Sequence, residues 1–243
     1  MYVKLKINTT FGNHFKTKIQ FMKYSKILLS FCFLYLISLN SYSQVRFGLK
    51  LGPNIAYANF KGDGASAYED FRELLVKYHV EGICILPVNE TFKFRLGLGV
   101  HAKGHKSVET VNSINNIFEI TPIYLQIPII ASYVNDKFHI GAGPYFSFGL
   151  SGKYIEKEEG GGVPSKIIRD GSIVFGNTID SDLRNLDAGL QLEAGFTIKY
   201  DWIISGAYNI GLINFYPAPL ADPRGVSGKF NSFSLSIGYL FPY

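Results

Sequence analysis

Phe92-Lys93-Phe94-Arg95-Leu96-Gly97-Leu98-Gly99-Val100-His101 changes character at every step, a large apolar residue alternating with a charged residue, a glycine or a histidine. Successive side chains of an extended chain point to opposite faces, so a period of two predicts a strand with one apolar and one polar face. The pattern recurs outward from this stretch. Phe47, Leu49, Leu51 and Ile55 alternate with Arg46, Gly48, Lys50, Gly52 and Asn54. It returns over 138–150 and 186–199, and again near the end, where Phe233, Leu235, Ile237, Tyr239 and Phe241 alternate with serines and Gly238. Three weaker stretches, 74–86, 118–133 and 202–213, bring the set to eight.

The connections give the topology. Pro87-Val88-Asn89-Glu90, Asn135-Asp136 and Asp201 join neighbouring stretches through tight hairpin turns. The other links are long: about 60–73, 104–117, 151–184 and 214–229. Short and long links alternate throughout, the asymmetry of barrels with short turns at one end and large loops at the other. The longest link, Lys153 to Arg184, contains Glu156-Lys157-Glu158-Glu159-Gly160-Gly161-Gly162 and reads as a mobile, solvated loop. Ser66-Ala67-Tyr68-Glu69 has the form of a cap on one helical turn at a strand rim.

Alternation alone does not say which face is inside. A soluble lipocalin-like barrel would turn its apolar face inward. Three features favour the inverse. The apolar face is bulky and continuous, with Phe47, Phe92, Tyr200, Trp202 and Phe241 near strand ends, as interfacial girdles require. The other face is mostly Gly, Ser and Ala with sparse charges, which suits a narrow interior that side chains can fill. The final strand carries its alternating aromatics nearly to Tyr243. The expected fold is therefore all-β, an eight-stranded antiparallel up-and-down transmembrane β-barrel. With 47% hydrophobic residues and a mean hydropathy of +0.11, the chain is no bundle of transmembrane helices.

The net charge of +5 is concentrated at one end. Residues 1–44 carry six lysines and no acid, and the remainder has 18 basic and 19 acidic residues, so a nucleic-acid partner is not expected. Met22-Lys23-Tyr24-Ser25-Lys26 is a basic start, Ile27 to Leu39 is an apolar run too short to span a bilayer, and Ser41-Tyr42-Ser43 offers small residues before a cleavage point at Gln44. The predicted organisation is an upstream extension over 1–21, a signal peptide over 22–43 and a barrel over 44–243. Phe31 before Cys32 argues against lipidation, and Cys84 is then the sole cysteine of the exported chain, so no disulfide or thiolate metal site is expected.

Phe47-Gly48-Leu49-Lys50-Leu51-Gly52-Pro53-Asn54, Tyr124-Leu125-Gln126-Ile127-Pro128, Gly141-Ala142-Gly143-Pro144-Tyr145 and Asp187 to Gly195 together resemble the PorT-like outer-membrane β-barrel family of Bacteroidota. The resemblance covers essentially all of 45–243. It implies location in the cell outer membrane and a link to secretion or envelope assembly, and it brings no catalytic motif. The C-terminal alternation of Phe233, Leu235, Ile237, Tyr239 and Phe241 resembles the assembly signal of outer-membrane barrels. Outer-membrane lipid and the export and barrel-assembly machinery are the implied partners, with an unidentified envelope protein as a further one.

Candidate chemistry is sparse. Lys50, Lys77, Glu81, Lys93, Arg95, Glu193 and Lys199 fall on the polar face, with His79, His101 and His139. They form either a solute path or a set of paired charges that plugs the bore, and eight strands leave too little room for a porin. The expected network is Lys50, Glu81, Arg95 and Glu193. His105-Lys106-Ser107 with Glu109 is a loose match to a lipid-acting hydrolase triad. No nucleophile elbow, zinc-protease helix, phosphate loop or calcium loop occurs, so neither cofactor nor metal is expected and the chain is read as a structural or interaction barrel, not an enzyme.

Overall fold

The computed structural model describes residues 45–63, 65–198, 201–218 and 226–242. The expected signal peptide and upstream extension, with Lys199 and Tyr200, lie outside the described residues. The elements are β1 (Arg46–Lys61), α1 (Ser66–Glu69), β2 (Arg72–Glu73), β3 (Leu75–Pro87), β4 (Phe92–Ala102), β5 (His105–Val111), β6 (Ile114–Asn135), β7 (Phe138–Gly160), β8 (Val163–Ser172), β9 (Leu186–Thr197), β10 (Trp202–Gly211) and β11 (Ser227–Leu240). Among the described residues no helix is long and apolar enough to cross a membrane.

Eight strands close a ring in the order β1, β3, β4, β6, β7, β9, β10, β11 and back to β1, every pair antiparallel. Closure leaves the ring without a free edge, the condition for burying a sheet in lipid. The turn end of the ring is built from short links. Asn89 Oδ1 accepts from the backbone N–H groups of Thr91 and Phe92 at 2.9 and 2.7 Å, and Asp136 takes a positive φ of 52° in the two-residue link from β6 to β7.

Parity decides the faces. Phe47, Leu98 and Trp202 are 58%, 55% and 44% exposed on the outside, whereas Lys50, Glu81 and Glu193 of the alternate parity are buried inside. Apolar out and polar in is the inverse of a lipocalin. Buried side chains pack into the lumen toward both of its ends. Ile83, Ile203 and Leu240 close it near the turn end, and Phe60, Tyr124, Ile173, Leu183, Phe215 and Phe230 close it at the loop end. Glycine lets neighbouring strands approach: a Cβ on Gly143 would lie 1.9 Å from the Ile129 carbonyl oxygen.

The loop end corrects two expectations. The link 104–117 is largely strand: β5 and the start of β6 form a hairpin whose turn residues Asn112 and Ser113 have φ of 50° and 66°, the geometry of a type I′ turn. The link 151–184 is not loop throughout, since β7 runs on to Gly160, turns through the positive-φ glycines 160–162, and returns as β8. With β2 on β5, these segments extend one side of the barrel into a five-stranded sheet. Alternation failed to show it because both faces of such an extension are wetted. The helical turn at Ser66–Glu69 exists, but its cap is Ala65 with no side-chain bond, and Glu69 Oε1 instead accepts from the Phe60 N–H at 3.0 Å.

Candidate functional site: a charge cage in the barrel lumen

Four strands each lend one inward charge at mid-lumen. Lys50 on β1 lies opposite Glu81 on β3 in the strand register, and Arg95 comes from β4. Glu193 arrives from β9, across the bore. Arg95 bridges both acids, with Nη1 donating to Glu81 Oε1 at 2.6 Å and Nη2 to Glu193 Oε2 at 2.5 Å. Lys50 Nζ donates to Glu193 Oε2 at 2.8 Å and lies 3.9 Å from Glu81 Oε1. Two cations and two anions thus close a ring of formal charge zero, all four buried. Single buried charges would be costly, and reciprocal pairing offsets most of that cost.

The histidines border the cage. His101 Nε2 is 3.3 Å from Glu81 Oε2 without hydrogen-bond geometry, and His139 Nε2 is 3.5 Å from Glu193 Oε1. His79 stacks on His101 at 5.1 Å between centroids, and its Nε2 meets Ser236 Oγ at 3.0 Å. Lys93 is half-buried toward the turn end. Lys77 does not join the cage; its Nζ donates to Glu119 at 2.7 Å at the loop end. Asn54 takes the lumen place beside it in the register and donates to the Ala102 carbonyl.

Above the cage the fill is neutral and then charged again. Gln191 Nε2 donates to Glu193 Oε2 at 3.3 Å, and Ser147 Oγ donates to Gln126 Oε1 at 3.1 Å. Lys103 Nζ reaches Asp187 Oδ2 at 2.6 Å and sits 4.3 Å from the Tyr145 ring centre, with the Tyr145 hydroxyl donating to the same carboxylate. This second pair escaped the sequence reading, although the signal was present. Asp187 lies on the polar parity of its strand, and Lys103 follows His101 by two residues, just past where the alternation was taken to end. Tyr124, whose buried hydroxyl has no protein partner, tops this layer under the aromatic cap.

The other candidates are placed as follows. His105 is buried, packs edge-on against Phe60 at 5.2 Å, and its Nδ1 has no hydrogen-bond partner; Ser107 and Glu109 follow it along β5. Phe233, Leu235, Ile237 and Phe241 stand on the outer surface, and Tyr239, half-buried, leans on Trp202 at 5.2 Å. Among the described residues no group of three or more His, Cys, Asp or Glu could hold a metal ion.

Comparison with curated proteins finds no match. Similar solved structures include Ail, the attachment invasion locus protein of Yersinia pestis, at 14% identity and a TM-score of 0.36, covering 82% of this chain and 99% of that one. Neisserial surface protein A is similar at 10% identity and a TM-score of 0.38, covering 81% and 97%. OprG of Pseudomonas aeruginosa is similar at 10% identity and a TM-score of 0.37, covering 83% and 98%. The model of the outer membrane protein beta-barrel domain matches residues 6–216, and with the closed ring and its apolar outer face the chain belongs to that family of outer-membrane proteins.

Proposed function

We propose that this outer-membrane barrel is a sealed, non-conducting scaffold that acts as a structural or interaction protein through its loop-end surface. The observation that carries this reading is the lumen fill. Among the described residues the charge cage, the amide layer, the Lys103–Asp187 pair and the aromatic cap occupy successive levels of the bore with side chains bonded or packed to one another. The one-sided strand extension around β5 and β8 offers the partner surface, and the PorT-like sequence features favour a role in secretion or envelope assembly in a Bacteroidota-type envelope. The outward alternation of the last strand, from Phe233 to Phe241, serves recognition by the barrel-assembly machinery.

An enzyme acting on lipid or peptide is the second reading, and it rests on His105, Ser107 and Glu109. Nothing in their arrangement favours it, since no hydrogen bond links them among the described residues. Planar-bilayer recording tests the first reading directly. The wild-type barrel is expected to give at most small, irregular conductance; a large, steady, ion-selective current would overturn it.

A further inference from the structure

The lipid-facing belt is interrupted where β6, β7, β9 and β10 lie side by side. Ala131, Ala142, Ala194 and Gly206 there form the floor of an apolar groove of about 620 Å³. The register sets Ala131 opposite Ala142 and Ala194 opposite Gly206, and at the β7–β9 seam between these two pairs Leu192 faces Ala142 and Ile140 faces Ala194, so the small residues run diagonally across the four strands. Rings wall both ends, Phe92 against Tyr133 at one, Tyr208 and Phe233 at the other. A volume of this size falls in the ~300–1,000 Å³ range of ligand sites. Left unfilled in hydrocarbon, its lining would forfeit dispersion contacts, so a chain that fits it is held better than bulk lipid.

The Tyr208 end of the groove turns polar. The Tyr208 hydroxyl meets the Tyr57 hydroxyl at 2.7 Å, reaching over β11, where Asn231 lies opposite Tyr57. One step further along the same outward face, Lys229 lies opposite Asn59, and Lys61 lies opposite Ser227. The neighbouring bases Arg72, Lys77, Lys106 and Lys157 each pair with a glutamate, but Lys61 and Lys229 enter no ion pair among the described residues. Two unpaired ammonium groups immediately beyond a lipid-covered belt suit the phosphate of a lipid headgroup.

We propose that this face binds one membrane lipid with a phosphorylated headgroup, its acyl chain in the groove and its phosphate against Lys61 and Lys229. The groove is continuous with the surface that lipid already covers, and the charge of its polar end is complementary to phosphate. A second copy of the chain is disfavoured as occupant because it would set the same lysines near one another.

Native mass spectrometry of the full protein, extracted in a neutral detergent, tests the site with a bis-phosphorylated lipid A, its dephosphorylated form and inorganic phosphate. The wild type is expected to retain one phosphorylated lipid per barrel with a preference of about tenfold or more over the dephosphorylated form. Lys61→Gln with Lys229→Gln should reduce that preference to about twofold or less, since most of it comes from the two charges. Ala142→Phe, on the lipid side of β7, should fill the groove and lower retention of both lipids without unfolding the barrel, checked by its heat-dependent gel mobility. Equal retention of the two lipids by the wild type, retention untouched by either variant, displacement by inorganic phosphate alone, or a dimer in place of the bound lipid would each overturn the site.

Discussion

At Glu81 two bases converge on one carboxylate, Arg95 at 2.6 Å and Lys50 at 3.9 Å, with His101 at 3.3 Å from its other oxygen. Glu81→Ala leaves the cage with two cations against the single anion Glu193, inside a bore too narrow to hydrate them. Removing one partner of a buried ionic network costs about 3–5 kcal/mol, whereas removing a neutral pair costs far less. The urea midpoint of the barrel refolded in lipid vesicles should therefore fall sharply for Glu81→Ala and less for Glu81→Ala combined with Arg95→Met. A double variant as unstable as the sum of the singles would show that the charges act independently. The parity of Lys50, Glu81, Arg95 and Glu193 was readable from alternation. That Arg95 would bridge to Glu193 across the bore was not, because it depends on lumen width and strand tilt, and Lys103 was missed because it lies just past the point where the alternation ending at His101 was taken to stop.

At the scale of the strand, the outer face and the loop-end extension make separate demands. Leu96 sits on the lipid side of β4, opposite Cys84 of β3 and Ile129 of β6. Leu96→Arg places a charge in hydrocarbon and should destabilise the folded barrel by about 2–4 kcal/mol; an unchanged urea midpoint would mean that this face is not at mid-bilayer. β5 responds to pH instead. Burial, with the Arg72 charge as a smaller contribution, holds the His105 pKa down at about 4 from 6.5. The unfolded segment then binds the proton more readily than the folded one. The stability of this packing is complete above about pH 6.5, declines as pH falls toward 4, and the loss approaches a ceiling of about 3 kcal/mol. Glu119 is also held low: burial pushes its carboxyl up, but the Lys77 hydrogen bond and charge prevail and hold it below the usual carboxylate range. The hydrogen-exchange protection factors of β5, taken against the intrinsic amide rates at each pH, should fall between pH 7 and 5, and His105→Phe should abolish the fall. Protection factors that are already independent of pH in the wild type would remove His105 from this role. The strands of the ring were legible because lipid on one side and a packed lumen on the other enforce a period of two. β5, β8 and the outer halves of β6 and β7 were not, because residues such as Glu156, Lys157, Glu158 and Glu159 are polar on both faces.

For the molecule as a whole, the even number of ring strands brings both ends of the barrel to the same side, and the link lengths say which. The turn end has the two-residue Asp136–Lys137 link and the tight turn at Asn89. The loop end carries the β7–β8 hairpin, whose tip at 160–162 stands exposed, together with α1 and the segment that caps the lumen with Ile173 and Leu183. In outer-membrane barrels the short turns face the periplasm and the long connections face outward. The same orientation here would put Gly160-Gly161-Gly162 outside the cell, at a hairpin tip whose three glycines have positive φ and present backbone to a protease. Added to intact cells, a broad-specificity protease should cut first at this tip and leave 136–137 untouched, and the nicked protein should remain barrel-sized on unheated gels because the ring lies below the cut. Cleavage at 136–137 in intact cells, with the glycine tip spared, would reverse the orientation and move the partner surface to the periplasm.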